Sequence, residues 1–211
     1  MRKSMKLCLV AACLVVAGPG WTADVHEKVS RLPPLPQPLD PILQQMYQKR
    51  SEAGGAVINL SLTRGHAPKL AKAAEVSAFA IRFDTVTPRS LIELVIFRTA
   101  QIVGSDYEIN QHTPLMKMCG YSDRQIAEVA TWKRSSLFDD KQTALLGFVE
   151  QMSGRGEVDD AAYARLEKVF TAQEIVEIAY TVGSYYGTGL FLKALKVEIE
   201  KDGRLTVAGK C

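Results

Sequence analysis

The chain has 211 residues, 47% of them apolar, with 26 basic against 23 acidic side chains. That is enough material for one well-buried core, and most simply one domain. No Lys/Arg stripe with interleaved aromatics runs through it, which argues against a nucleic-acid surface.

The first residues read as a secretory signal peptide. Arg2, Lys3 and Lys6 form a basic start, Leu7 to Ala17 an apolar run too short to span a bilayer, and small residues follow at Gly18, Gly20 and Ala23. Cleavage near Ala23 is expected, with a cut after Gly20 as the alternative. A lipid anchor at Cys13 is a minor alternative, because Val10-Ala11-Ala12-Cys13 resembles a lipobox although the apolar run continues past it. Residues 1–23 carry three basic groups and no acidic one, so their removal takes the 26 basic residues to 23, level with the acidic ones. The expected location is periplasmic or secreted, with no membrane span. Cys119 and Cys211 would remain as an even pair in a compartment that permits disulfides. Spacing alone does not say whether they bridge.

Residues 24–40 hold Pro33, Pro34, Pro36 and Pro38, and Pro41 follows; they read as an extended arm. Helical periodicity then dominates. Ile42 to Arg50 predicts a first helix, stopped at Gly54-Gly55, and Pro68 to Phe83 an Ala-rich second one. Thr87-Pro88 reads as a helix start, with Thr87 as cap and Pro88 at the first helical position, and the helix runs to Gly104. Ser105 caps the next helix, towards Gly120. Ser122-x-x-Gln125 and Thr171-x-x-Glu174 are capping boxes. Further helices are expected over 123–132, 139–153, 159–168 and 172–200, the last kinked or closely packed at Gly183, Gly187 and Gly189. The result is an all-α domain over residues 41–200 with short connections, and a tail over 201–211. No Rossmann unit, P-loop or zinc-ligand cluster is present in the pattern, so no metal and no cofactor are expected.

The chemistry concentrates between Glu93 and His112. Glu108 and His112 stand four apart and share a helix face, and an imidazole beside carboxylates can hold or move a proton near neutral pH. Glu93, Glu108 and His112 are therefore the candidate catalytic residues. Arg98, or Arg89, is a candidate for binding a substrate carboxylate, whose shape the guanidinium matches. Ser105 and Tyr107 join Arg98 as candidate substrate contacts. Each has a structural alternative: Ser105 and Glu108 as a capping box, Glu93 as a partner of Arg89 or Arg98, His112 as a core histidine, and Arg98 as a structural ion-pair partner. His66, near a helix start, is not expected in the site. Pro114 falls two residues after His112 and predicts either a kink or a restart at Thr113.

The segments Pro88 to Phe97-Arg98, Tyr107-Glu108-x-x-x-His112 and Cys119-Gly120-Tyr121-Ser122-Asp123 resemble the carboxymuconolactone decarboxylase and alkylhydroperoxidase (AhpD-like) superfamily, across about residues 40–200. That resemblance implies an AhpD-like helical fold and self-assembly, as homotrimers or homohexamers. In the family's peroxidase branch a Glu is followed after eleven residues by Cys-x-x-Cys and, three further on, by His. Glu93 and His112 match, but Ser105 and Glu108 stand where the two thiols would be. Neither can form or resolve a disulfide. The resemblance therefore implies the decarboxylase-like branch: cofactor-free acid–base chemistry on a small lactone or organic acid. The alternatives are a non-catalytic homo-oligomeric or small-molecule-binding member, and residual peroxidase activity through Cys119.

Overall fold

The computed structural model describes residues 27–203, with 205 and 211. The expected signal peptide, its cut site and the alternative anchor at Cys13 lie outside the described residues. Every regular element among those described is helical, as expected: α1 (Pro41–Glu52), α2 (Asn59–Arg64), α3 (Pro68–Phe83), α4 (Arg89–Val103), α5 (Asp106–Met118), α6 (Asp123–Glu128), a 3-10 turn (Val129–Arg134), α7 (Asp140–Arg155), α8 (Asp160–Glu167) and α9 (Ala172–Leu195).

Helix α4 is the axis of the fold. It packs against α5, α7 and α9, and ten of its residues are buried, on all sides. A helix apolar all round belongs in a core. Glu93 is the only charged residue among those ten, so its presence there needs a partner. Gly104, with φ +67°, ends α4 in the left-handed conformation that glycine adopts without a Cβ penalty. Ser105 then caps α5, accepting from the Glu108 amide at 3.4 Å. These two residues fold the α4–α5 corner and bring Glu93 and His112 face to face.

The capping boxes at Ser122/Gln125 and Thr171/Glu174 form as expected, and a third forms at Asp139/Gln142. Thr87 does not cap α4. Its hydroxyl donates to Glu177 Oε2 at 2.6 Å, and Pro88, not Thr87, stands at the cap. Helix α5 runs through Pro114 without restarting. Thr113 Oγ1 donates to the Ile109 carbonyl at 2.7 Å instead of capping a new helix.

Helix α9 is likewise continuous past its glycines, but ends at Leu195, five residues short of the expected bound. Of its glycines only Gly189 is in a tight contact. A Cβ there would collide with Val103 Cγ1 and lie 3.4 Å from Ser105 Cβ, so the α9 backbone rests directly on the α4–α5 corner. Residues 27–40 are non-helical, as expected, but are more than a connecting arm. Val29, Leu35 and Leu39 are buried with Leu43, Tyr47, Val57, Leu62 and Ala71 in a second apolar cluster.

Beyond α9 the chain folds back. The Arg31 amide donates to the Leu195 carbonyl at 2.8 Å, and the Glu198 amide to that of Val29 at 2.9 Å. Cys211 is disulfide-bonded to Cys119, the residue that ends α5.

Candidate functional site

Four charged side chains of alternating sign form a row at the centre of the fold. Arg89 Nε donates to Glu93 Oε1 at 2.7 Å. The other oxygen of Glu93 lies 2.7 Å from His112 Nδ1. His112 Nε2 lies 3.2 Å from Glu108 Oε2, at the i, i+4 spacing on α5. Glu93 is wholly inaccessible and His112 nearly so. Tyr185 of α9 meets the imidazole edge-on, ring centroids 5.4 Å apart, and fixes the plane of the ring.

Burial alone would disfavour the charge on His112. Glu93's charge, the hydrogen bonds the ring donates to Glu108 and Glu93, and Glu108's charge outweigh it and raise the imidazole from 6.5 to about 9. Burial also works against the Glu93 carboxylate, but His112 and Arg89 together hold it below its ordinary range. At neutral pH the row is therefore guanidinium, carboxylate and imidazolium, with Glu108 at its end. Both ring nitrogens are then donors.

The row ends at a cavity of about 250 Å³. Its floor is Tyr107, Glu108, Gln111 and His112 of α5. Arg64 of α2, Arg82 of α3 and Tyr185 of α9 form its walls, with Arg50 and Glu75 at one side. Arg50 and Glu75 are ion-paired with each other. Arg64 and Arg82 form no ion pair with a carboxylate among the described residues. Arg64 Nη2 donates to Thr188 Oγ1 at 2.8 Å, and Arg82 Nε to the Ala78 carbonyl at 3.0 Å. Burial lowers the Arg64 pKa, the signature of a cation taken from water without full compensation. The cavity thus carries two cations beyond what its own carboxylates balance.

Of the residues singled out in the sequence, Glu93, Glu108, His112 and Tyr107 come together here. Glu108 does not close a capping box with Ser105, because its carboxylate is turned to His112. Ser105 is a buried cap and does not line the cavity. Arg98 lies on the other side of α4, bonded to Gln101 at 3.2 Å and 3.8 Å from Glu150 of α7. It is a structural partner, displaced from the cavity by one helix face. Arg89 is spent on Glu93 and on the Arg82 carbonyl. His66 contacts the Pro33 carbonyl, outside the site as expected. Arg64, Arg82, Gln111 and Tyr185 went unnoticed in the sequence; no local spacing marks them, since four separate helices must converge to make the wall. Among the described residues no group of three or more His, Cys, Asp or Glu side chains is placed to hold a metal ion. None of the helices described is long and apolar enough to cross a membrane.

Residues 68–151, from the start of α3 into α7, match the carboxymuconolactone decarboxylase family. The fold is that of AhpD-like proteins, and the match over residues 68–151 falls on the segments that carry the resemblance to the carboxymuconolactone decarboxylase and AhpD-like superfamily. The chain is similar to the alkylhydroperoxidase AhpD core of a peroxidase-related protein from Ralstonia eutropha JMP134, at 20% identity and TM-score 0.72, over 86% of this chain and 100% of that one. A peroxidase-related protein from Silicibacter sp. TM1040 aligns at 17% identity and TM-score 0.74, over 83% and 94%. The debrominase Bmp8, in complex with 2,3,4-tribromopyrrole, aligns at 18% identity and TM-score 0.69, over 85% and 96%. No curated protein matches the chain.

Proposed function

We propose that the protein is an exported, cofactor-free acid–base enzyme of the decarboxylase-like kind, acting on a small lactone or organic acid. The observation that carries this reading is the juxtaposition of the Glu93–His112–Glu108 row with two unneutralised arginines around one small cavity. Arg64 and Arg82 take over the carboxylate-binding role that the sequence suggested for Arg98. Tyr107 and Gln111 supply polar contacts at the floor. The cavity falls below the roughly 300–1,000 Å³ of drug-sized sites, which suits a metabolite of few atoms.

In such a reaction the bond between the carboxylate and its neighbouring carbon breaks and carbon dioxide leaves. The electron pair passes into the adjoining carbonyl as an enolate, which then takes a proton at carbon. His112 holds that proton at neutral pH. Because both its nitrogens are engaged by carboxylates, the proton reaches the substrate through Glu108, which lines the cavity beside His112. Glu93, clamped by Arg89, keeps the imidazole charged and oriented. General acid catalysis of this sort contributes about 10²–10⁴-fold in rate.

The thiol peroxidase reading is the weaker one. Ser105 and Glu108 stand at the thiol positions, and Cys119 is bonded to Cys211, so no thiolate faces His112. The disulfide also supports export, since such bonds persist in oxidising compartments. Self-association is the remaining part of the reading. Val76 and Phe79 of α3 and Val176 and Tyr180 of α9 are exposed apolar side chains on adjoining helices, and covering them would favour assembly of identical copies.

The test is the protein lacking residues 1–23, assayed against a panel of lactone acids and small carboxylic acids for substrate loss and carbon dioxide release. His112→Ala and Glu108→Gln should each lower turnover by 100-fold or more. Turnover that survives His112→Ala would remove the histidine from the chemistry. Carboxylate binding without turnover would make the protein a small-anion binder instead.

A further inference from the structure

Glu200 lies in the segment that follows α9, yet it is only 6% exposed and reaches the underside of the cavity floor. Its Oε1 accepts from the Asn59 amide at 2.8 Å and from the Tyr107 hydroxyl at 2.5 Å. Its Oε2 accepts from Gln111 Nε2 at 2.7 Å. The Tyr107 oxygen in turn accepts from the Leu60 amide at 3.2 Å. Asn59 and Leu60 open α2, and the first amides of a helix have no acceptor within it. Ile58, at the cap position, offers no side-chain oxygen. Glu200 and Tyr107 therefore supply what α2 lacks, and in doing so tie α2 to α5. Leu60, Tyr107 and Gln111 all line the cavity. A buried carboxylate held by neutral donors is costly to place, and here it spans the two helices whose spacing sets the floor.

The same segment is fastened at a second point. Asn59 Nδ2 donates to the Glu198 carbonyl at 2.9 Å, and further along Cys211 is bonded to Cys119 at the far end of α5. Helix α5 is thus held through Tyr107 and Gln111 near its start and through Cys119 at its close, with His112 between. Cys211 is exposed and Cys119 half-buried, so the bond is open to attack from solvent at Cys211.

We propose that Glu200 is a positioning residue for the cavity floor, and that the Cys119–Cys211 disulfide is a thiol-responsive latch that keeps it seated. The proposal rests on the cavity being the working site. The opening step uses a small or protein dithiol. One of its thiolates attacks Cys211 Sγ, the Cys119–Cys211 bond breaks, and Cys119 leaves as a thiolate that takes up a proton. The second thiol of the reductant then displaces Cys211 and closes a disulfide of its own. The protein gains two electrons and two protons, and the dithiol is oxidised.

Amide hydrogen exchange on the full mature chain tests this without any substrate, so its outcome is independent of whether turnover is found. Asn59 and Leu60 should exchange at least tenfold faster in Glu200→Leu, and part of that protection should return in Glu200→Gln, whose amide oxygen can still accept. Treating the unaltered protein with dithiothreitol, or replacing Cys211 by Ser, should accelerate the same two amides. Reduction of Glu200→Leu should add nothing further. Leu94 and Val95 in α4 should stay protected throughout, showing the fold intact. Unchanged protection of Asn59 and Leu60 in Glu200→Leu would overturn the positioning role. Unchanged protection on reduction would overturn the latch.

Discussion

Glu93→Gln tests the electrostatic centre of the site. The substitution keeps the shape of the side chain and removes its charge from between Arg89 and His112, both buried and both bonded to it. Removing one partner of a buried ion pair costs about 3–5 kcal/mol, because the other charge is left uncompensated. The glutamine oxygen can still accept one hydrogen bond, so the lower end, about 3 kcal/mol, is expected. For a chain of this size that lowers Tm by roughly 6–12 °C. The pH dependence should change as well. His112 is raised from 6.5 to about 9 in the folded protein. Its contribution to stability is therefore fully present below pH 6.5 and is lost as pH rises through about 9, a loss on the order of 3 kcal/mol. Urea denaturation between pH 6 and 10 should show this decline in the parent protein and a much flatter curve in Glu93→Gln. In parallel, imidazole ¹⁵N NMR should show His112 titrating near 9 in the parent and at or below 6.5 in the variant, where burial acts with less opposition. A variant histidine that still titrates near 9, or a stability loss under about 1 kcal/mol, would refute the reasoning.

Arg64→Leu removes a half-buried cation that forms no ion pair among the described residues, so the ligand-free protein should be little changed in stability, while stabilisation by added small carboxylates in thermal-shift measurements should be lost. Gly189→Ala places a methyl group against Val103 where α9 rests on the α4–α5 corner, and overpacking of this kind costs about 1–3 kcal/mol in chemical denaturation. Asp139→Ala deletes the cap that accepts the Gln142 amide at 2.8 Å and should cost about 1 kcal/mol, read the same way.

What the sequence made legible was largely local. The bounds of α3, the Ser105 cap and the boxes at Ser122 and Thr171 depend on neighbours within a turn, and each formed as expected. The Glu93–His112 pairing was legible because an otherwise apolar helix does not carry a carboxylate without a reason. Helix α2 was not seen: its first amides are satisfied by Glu200 and Tyr107, far along the chain, and not by a cap residue. For Arg98 the ion-pair alternative held and the substrate-contact one did not, for a related cause. Spacing fixes which residues share a face of α4, but not which face meets α7 and which meets α5. Thr87 looked like a cap and found a stronger acceptor in Glu177, 90 residues away. The arginines of the cavity wall are ordinary in their own helices and become a site only when α2 and α3 close over α5.

Opposite charges in alternation cancel at a distance, so the field of the row from Arg89 to Glu108 fades within a few ångströms, while Arg64 and Arg82 have no such cancellation. An anion approaching from solvent is drawn by those two arginines and senses the row only on arrival. Capture and proton transfer are thereby assigned to different residues. The salt dependence of association belongs to the wall, and the pH dependence of the chemical step belongs to the row.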